Sequence, residues 1–197
     1  MNTVIEFFSE YKIISVIVHV LSVVVGMGAA FVSDILFNIY IKDKRIQPNE
    51  DRTLGTLSGI VWVSLIFIVL SGFALFLSDP IGYSQSHKFL VKMTIVGVII
   101  VNGYLFWKVI HPALKKIDFI DTNMSHKYVK LRKVAFALGA VSLFSWLSAF
   151  VLGMLSNVSI YYSEAIIGYA AICFGAILAS QVVEHRMTHG RVEIKDK

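Results

Sequence analysis

A histidine and an aspartate share one long apolar stretch, His19 and Asp34. A lysine and an asparagine share another, Lys92 and Asn102, with His87 just ahead of them. An ionisable group inside an apolar helix costs a few kcal/mol on insertion scales, so each needs a physical reason. A buried imidazole has three uses. It hydrogen-bonds as a neutral ring to a carbonyl or hydroxyl, it ligates haem or a metal, or it carries protons. His19 falls on the same helical face as Gly26 and Ala30, so it turns toward neighbouring helices and away from lipid. At about 100° per residue, Asp34 lies within about 60° of the same direction. Asp34 either pairs with a basic group at the inner boundary, such as Arg52 or Lys108, or belongs to a proton or ion path with Asn102.

Lys92 either snorkels to the outer head groups or serves as counter-charge to a haem propionate or a substrate carboxylate. His87 stands at the mouth of the same stretch, where it is a candidate for the second face of a haem iron. Asn102 suits an interhelical hydrogen bond. Glu164 opens the last apolar stretch, where a carboxylate meets the positive end of a helix. His185 and His189 have the i, i+4 spacing that can hold a metal, but no third ligand is specified and Gly190 reads as a helix stop. Solvated tail histidines are the simpler reading. His111, before Pro112, marks the inner end of its stretch, and His126 lies in a loop. No nucleophile signature, P-loop or dinucleotide fingerprint is present. The single cysteine, Cys173, excludes an intramolecular disulfide.

The elements that must hold these residues follow from composition. The 197 residues are 56% hydrophobic and 16% charged, against about 25% charged for an ordinary soluble domain. Mean hydropathy is +0.72. Disordered chains, nucleic-acid-binding modules and small disulfide folds are excluded. Five runs are long enough to cross a bilayer as helices: about 13–41, 54–78, 89–110, 134–156 and 164–183. They are too long, and alternate too little, for barrel strands. The expected fold is an all-α, five-helix transmembrane bundle, a single integral membrane domain over 1–197. A cytoplasmic loop spans 111–133 and a cytoplasmic tail 184–197. Part of the loop is expected as a short surface helix through Leu114, Ile117 and Ile120. The leader before Lys12 carries two glutamates and no small-residue cleavage site, so it reads as an interfacial lead-in turn and not a signal peptide.

Fifteen of the eighteen lysines and arginines fall on one side of these spans. The positive-inside rule then places the N-terminus out and the C-terminus in, in a multi-pass protein of the cell (inner) membrane. An odd number of spans is required, in agreement with hydropathy. The basic loops also suit anionic lipid head groups. Small residues recur at helical spacing: Ser22, Gly26, Ala30 and Ser33; Gly55 and Gly59; Ser142, Ser145, Ala149, Gly153 and Ser156; Gly168, Ala171, Gly175 and Ala179. Each stripe is expected to be a packing seam.

Two segments resemble a loose group of small bacterial membrane proteins that includes the copper-resistance protein D (CopD) domain and the HemJ-type protoporphyrinogen oxidase. One runs from His19 through Gly26 to Gly28. The other runs from Ser86 through Lys92, Asn102 and Gly103 to Leu114. The match covers about a quarter of the chain, and Gly26 stands where those families place a tryptophan. The HemJ-type resemblance implies b-type haem and porphyrinogen oxidation, and the CopD type implies copper handling. His19 and Lys92 match by residue type.

Three functional readings follow. The first is a redox bundle holding haem b, with His19 as axial (metal) ligand, His87 on the other face, Lys92 at a propionate, and quinone or another redox protein as electron partner. The second is a non-enzymatic ion or metal transport protein, with Asp34, His19 and Asn102 along an internal polar track. The third is a structural membrane subunit. No enzymatic activity is assigned.

Overall fold

The computed structural model describes residues 2–40, 47–114, 126–155 and 161–189. Among them every regular element is a helix. A leader helix α1 (Asn2–Glu10) precedes the first span α2 (Lys12–Tyr40). The leader is thus a full helix rather than a turn, and it packs against the second span. That span is α3 (Pro48–Ser78), and a short α4 (Pro80–Gln85) follows it. The third span is α5 (His87–Leu105), continued through a wider π turn (Phe106–Ile110) into α6 (His111–Leu114). The fourth and fifth spans are α7 (His126–Met154) and α8 (Tyr162–His189). Five helices are therefore long and apolar enough to cross a membrane, and the chain is an integral membrane bundle. The expected surface helix through Ile117 and Ile120, and the loop lysines Lys42, Lys44, Lys115 and Lys116, lie outside the described residues.

Local sequence sets the helix ends. The second span begins at Pro48 rather than 54 because Gln47 and Glu50 close a capping box, with the Gln47 N–H donating to Glu50 Oε2 at 2.8 Å. Pro48 sits at the first helical position, where a missing N–H costs nothing. Asp79 ends α3 and caps α4 by accepting from the Gly82 N–H at 3.0 Å. Ser86 caps α5 through the Phe89 N–H.

The close helix pairs are α2 with α3, α7 with α8, α5 with α7, α2 with α7 and α5 with α8. Spans two and three, α3 and α5, are not among these pairs. They meet through side chains: Leu65 and Ile68 share a core with Val91, Ile95, Ile99 and Trp146. A second core, of Phe37, Leu54, Ile110 and Ala135, lies nearer the end that carries most of the basic residues, here termed the basic end.

The small-residue stripes behave unequally. A methyl on Gly26 would stand 2.8 Å from Trp146 Cη2 and 2.9 Å from Ser64 Cβ, so α2, α3 and α7 close on this glycine. Ser145 is fully buried and shares a 2.7 Å hydrogen bond with Tyr169 of α8. The α8 stripe is a correction, as are Gly55 and Gly59 of α3 and Gly153 of α7, which are exposed with nothing within 4 Å of a Cβ. Gly168, Ala171, Gly175 and Ala179 are exposed, and nothing lies within 4 Å of a Cβ at Gly168 or Gly175. The face α8 buries carries Tyr169, Ala176 and Glu184 instead. Spacing alone does not distinguish a seam inside the bundle from small residues turned to lipid.

Candidate functional site

In the half of the bundle toward the basic end, α2, α3, the end of span three and α7 surround a cavity of about 120 Å³. It lies where spans two and three stand apart. Asp34 enters from α2, Trp62 from α3, Asn102 and Trp107 from span three, and His111 from just beyond the π turn. Gly55, Gly103 and Gly139 line it too, and their missing side chains leave the space. Asp34 Oδ1 is 3.6 Å from the position a Gly139 Cβ would take.

Asp34 Oδ2 and Asn102 Oδ1 are both buried without a hydrogen-bond partner. Asn102 is 7% exposed, and its amide Nδ2 donates to the Leu138 carbonyl at 3.1 Å. That bond fixes the amide orientation and leaves the oxygen as the unsatisfied atom. Buried polar atoms in native proteins are almost always satisfied, so two such acceptors on residues that line one cavity mark a place for a donor. The expected pairing of Asp34 with Arg52 or Lys108 is not formed. Lys108 Nζ donates to the Tyr104 hydroxyl at 2.7 Å and lies over that ring.

His111 was legible only as the end of a span. Its Nε2 stands 2.9 Å from Asp51 Oδ1, which ties the end of span three to the start of span two. The contact is close but poorly aligned as a hydrogen bond. The π turn that brings His111 there follows from Pro112. A proline ring presses on the carbonyl four residues back and supplies no N–H. Widening the preceding turn, with the His111 N–H donating to the Phe106 carbonyl, accommodates it.

Of the sequence-predicted residues, the structure brings Asp34 and Asn102 to one cavity and leaves His19, His87 and Lys92 outside it. His19 Nδ1 is 3.0 Å from Ser71 Oγ, and its ring edge lies against Gly72. The Ser71 hydroxyl donates its one hydrogen to the Phe67 and Ile68 carbonyls. His19 therefore donates from Nδ1, and its Nε2 keeps the lone pair. Lys92 is half-buried and within electrostatic reach of His19. His87 packs its ring against Tyr161, with centroids 5.9 Å apart. His185 is exposed, and the side chain of His189 lies outside the described residues. Among the described residues no three of His, Cys, Asp or Glu gather as a metal site.

One further contact escaped the sequence reading. Arg132 at the start of span four binds Glu184 of α8 through Nε at 2.6 Å and through Nη2, and Glu184 is 2% exposed. A lone carboxylate in the last apolar turn of a span was the available signal, since such a group needs a cation. No protein-family model, no curated protein and no solved structure matches the chain.

Proposed function

We propose that the protein is a transport protein that binds a small positively charged species in the cavity at Asp34 and passes it through the bundle. The observation that carries this reading is the pair of buried, unpartnered acceptors, Asp34 Oδ2 and Asn102 Oδ1, on two residues that line one cavity. A carboxylate left unpaired at this depth is costly, and a bound cation or proton removes that cost. Alternation between two such occupants is the elementary step of an exchanger. The hydroxyls of Ser33, Ser58 and Ser142 line the same cavity and supply further oxygens. His19 leaves the track in this reading and becomes a ring bonded between helices. Residence in the cell (inner) membrane, N-terminus out, belongs to the same proposal and rests on the distribution of lysine and arginine.

The test is flux in proteoliposomes under a pH or cation gradient. Wild-type protein is expected to carry an Asp34-dependent flux that Asp34→Asn abolishes and Asp34→Glu retains in part. Flux equal to that of empty liposomes, or unchanged in Asp34→Asn, would sink the proposal.

A b-type haem at His19 is the second reading, and one contact favours it. A ligating histidine usually donates its other ring nitrogen to a fixed acceptor, and His19 donates Nδ1 to Ser71 and leaves Nε2 free to ligate. Lys92, within electrostatic reach of His19, would be the counter-charge to a propionate. The fit is partial, because His87 is held against Tyr161 and the cavity lies elsewhere. When bound, haem would supply one-electron chemistry, with quinone as a membrane electron partner. A Soret band in protein from haem-replete cells, lost in His19→Ala, is the result this reading requires; a colourless, folded preparation removes it.

A further inference from the structure

The cavity at Asp34 has more to say about its occupant than a positive charge. Its size is the first point. About 10–15 Å³ of such volume is enough for one water, and the cavity offers about 120 Å³. A bare proton or dehydrated metal ion leaves most of that space unfilled. The second point is the kind of polar atom on offer. Of the three buried atoms here without a hydrogen-bond partner, Asp34 Oδ2 and Asn102 Oδ1 are acceptors, and the third, His111 Nε2, stands 2.9 Å from the Asp51 carboxylate, which faces its charge. The occupant must donate hydrogen bonds and carry positive charge.

The third point is the rest of the wall. Phe37, Trp62, Phe106 and Trp107 line the cavity, with the Phe37 and Phe106 rings edge to face at 5.9 Å. Aromatic faces attract organic cations and pack against their methyl groups. The rings themselves are poor ligands for hard inorganic cations, which bind through oxygens. Oxygens at one place and aromatic rings around them suit an ion that is polar at one point and apolar elsewhere.

We propose that the cavity takes a small alkylammonium ion, its N–H groups donating to Asp34 Oδ2 and Asn102 Oδ1 and its alkyl groups lying against Trp62 and Trp107. This assignment rests on the transport reading of the same cavity and names its substrate class. A soluble amine and the ammonium of a lipid headgroup share this chemistry.

The experiment is calorimetric titration of the full-length chain in a zwitterion-free detergent with dimethylammonium, which carries two N–H groups and two methyls, beside sodium at equal ionic strength. Saturable dimethylammonium binding is expected, at least about tenfold tighter than sodium binding. It should weaken by about tenfold or more in Asp34→Asn and severalfold in Trp62→Leu. Trp62→Phe, which keeps an aromatic face, should retain most of it and guards against loss of binding through misfolding. Displacement by a short-chain phosphatidylethanolamine assigns the site to a lipid headgroup, and failure to displace assigns it to soluble amines. Sodium bound as tightly as dimethylammonium, or dimethylammonium binding untouched by Asp34→Asn, overturns the assignment. Asp34-dependent proton or sodium flux with no amine binding overturns it and leaves the transport reading standing. Amine binding without flux does the reverse.

Discussion

Gly26 shows how much a single missing side chain can decide. The ring of Trp146 and the Cβ of Ser64 occupy the space its methyl would need, and Trp146 is 2% exposed with no room to retreat. Gly26→Ala is therefore expected to destabilise by about 1–3 kcal/mol, as overpacking of a closed core does. The measurement is the melting midpoint in detergent, and Gly28→Ala is the matched control. Nothing lies within 4 Å of a Cβ at Gly28, so that variant should melt with the wild type. A fall common to both would show a general intolerance of this helix rather than the Trp146 contact. The stripe containing Gly26 is visible in the sequence because its spacing is helical. Its partner is not visible, because Trp146 approaches from a helix far along the chain. Ser71 is a similar case. Its hydroxyl accepts from His19 across 52 residues of sequence, and Ser71→Ala leaves a half-buried ring nitrogen unpaired. A loss of about 1–3 kcal/mol is expected, read as an earlier melting midpoint, and Ser71→Thr should restore it.

Between helices, two features hold the basic end together, and they respond to mutation in opposite ways. The Arg132–Glu184 pair joins α7 to α8 with Glu184 almost wholly buried. Arg132→Met takes away the guanidinium that offsets this buried carboxylate and should be destabilising, by at most about 3–5 kcal/mol. Replacing both, as Arg132→Met with Glu184→Leu, should recover most of that loss, because the cost lies in burying a carboxylate without the guanidinium and not in the absent attraction. Thermal melts of the three proteins decide it, and a double variant as unstable as the single one refutes the argument. The π turn before Pro112 works differently. With Pro112→Ala the segment can close into an ordinary α-helix and gain a backbone bond at Lys108. Stability should rise, yet the residues beyond Ile110 rotate by about 100° for each residue absorbed. His111 then leaves Asp51 and the cavity wall. The expected signature is a higher melting midpoint with reduced flux; unchanged flux would mean that the turn has no part in the site.

At the scale of the whole bundle, legibility follows from what is summed. The five spans were readable because each rests on about twenty apolar residues, and no single residue can overturn such a sum. Asp34 and Asn102 stood out in the sequence because charge and amide are expensive in lipid wherever they point. What they share, a cavity between spans two and three, was not readable. It depends on Gly55, Gly103 and Gly139 converging from three helices and on a proline-driven turn. The outward face of α8 was misjudged for the same reason, since spacing gives a stripe but not its direction. Orientation is the remaining whole-molecule property, and it is again a sum. Arg52, Lys108, Lys130, Arg132, Lys133 and Arg186 stand toward one end of the bundle, against Lys12, Lys88 and Lys92 toward the other. The positive end should face the cytoplasm. In a Cys173→Ser background, Ser84→Cys in exposed α4 is expected to react with an impermeant thiol reagent on intact cells. Thr53→Cys, near the start of α3, is expected to react only after permeabilisation. The reversed pattern would place the cavity toward the outside, so that Asp34 would load its occupant from the medium and not from the cytoplasm. Labelling at both positions in intact cells would mean dual insertion, for which a charge bias this large leaves no physical account.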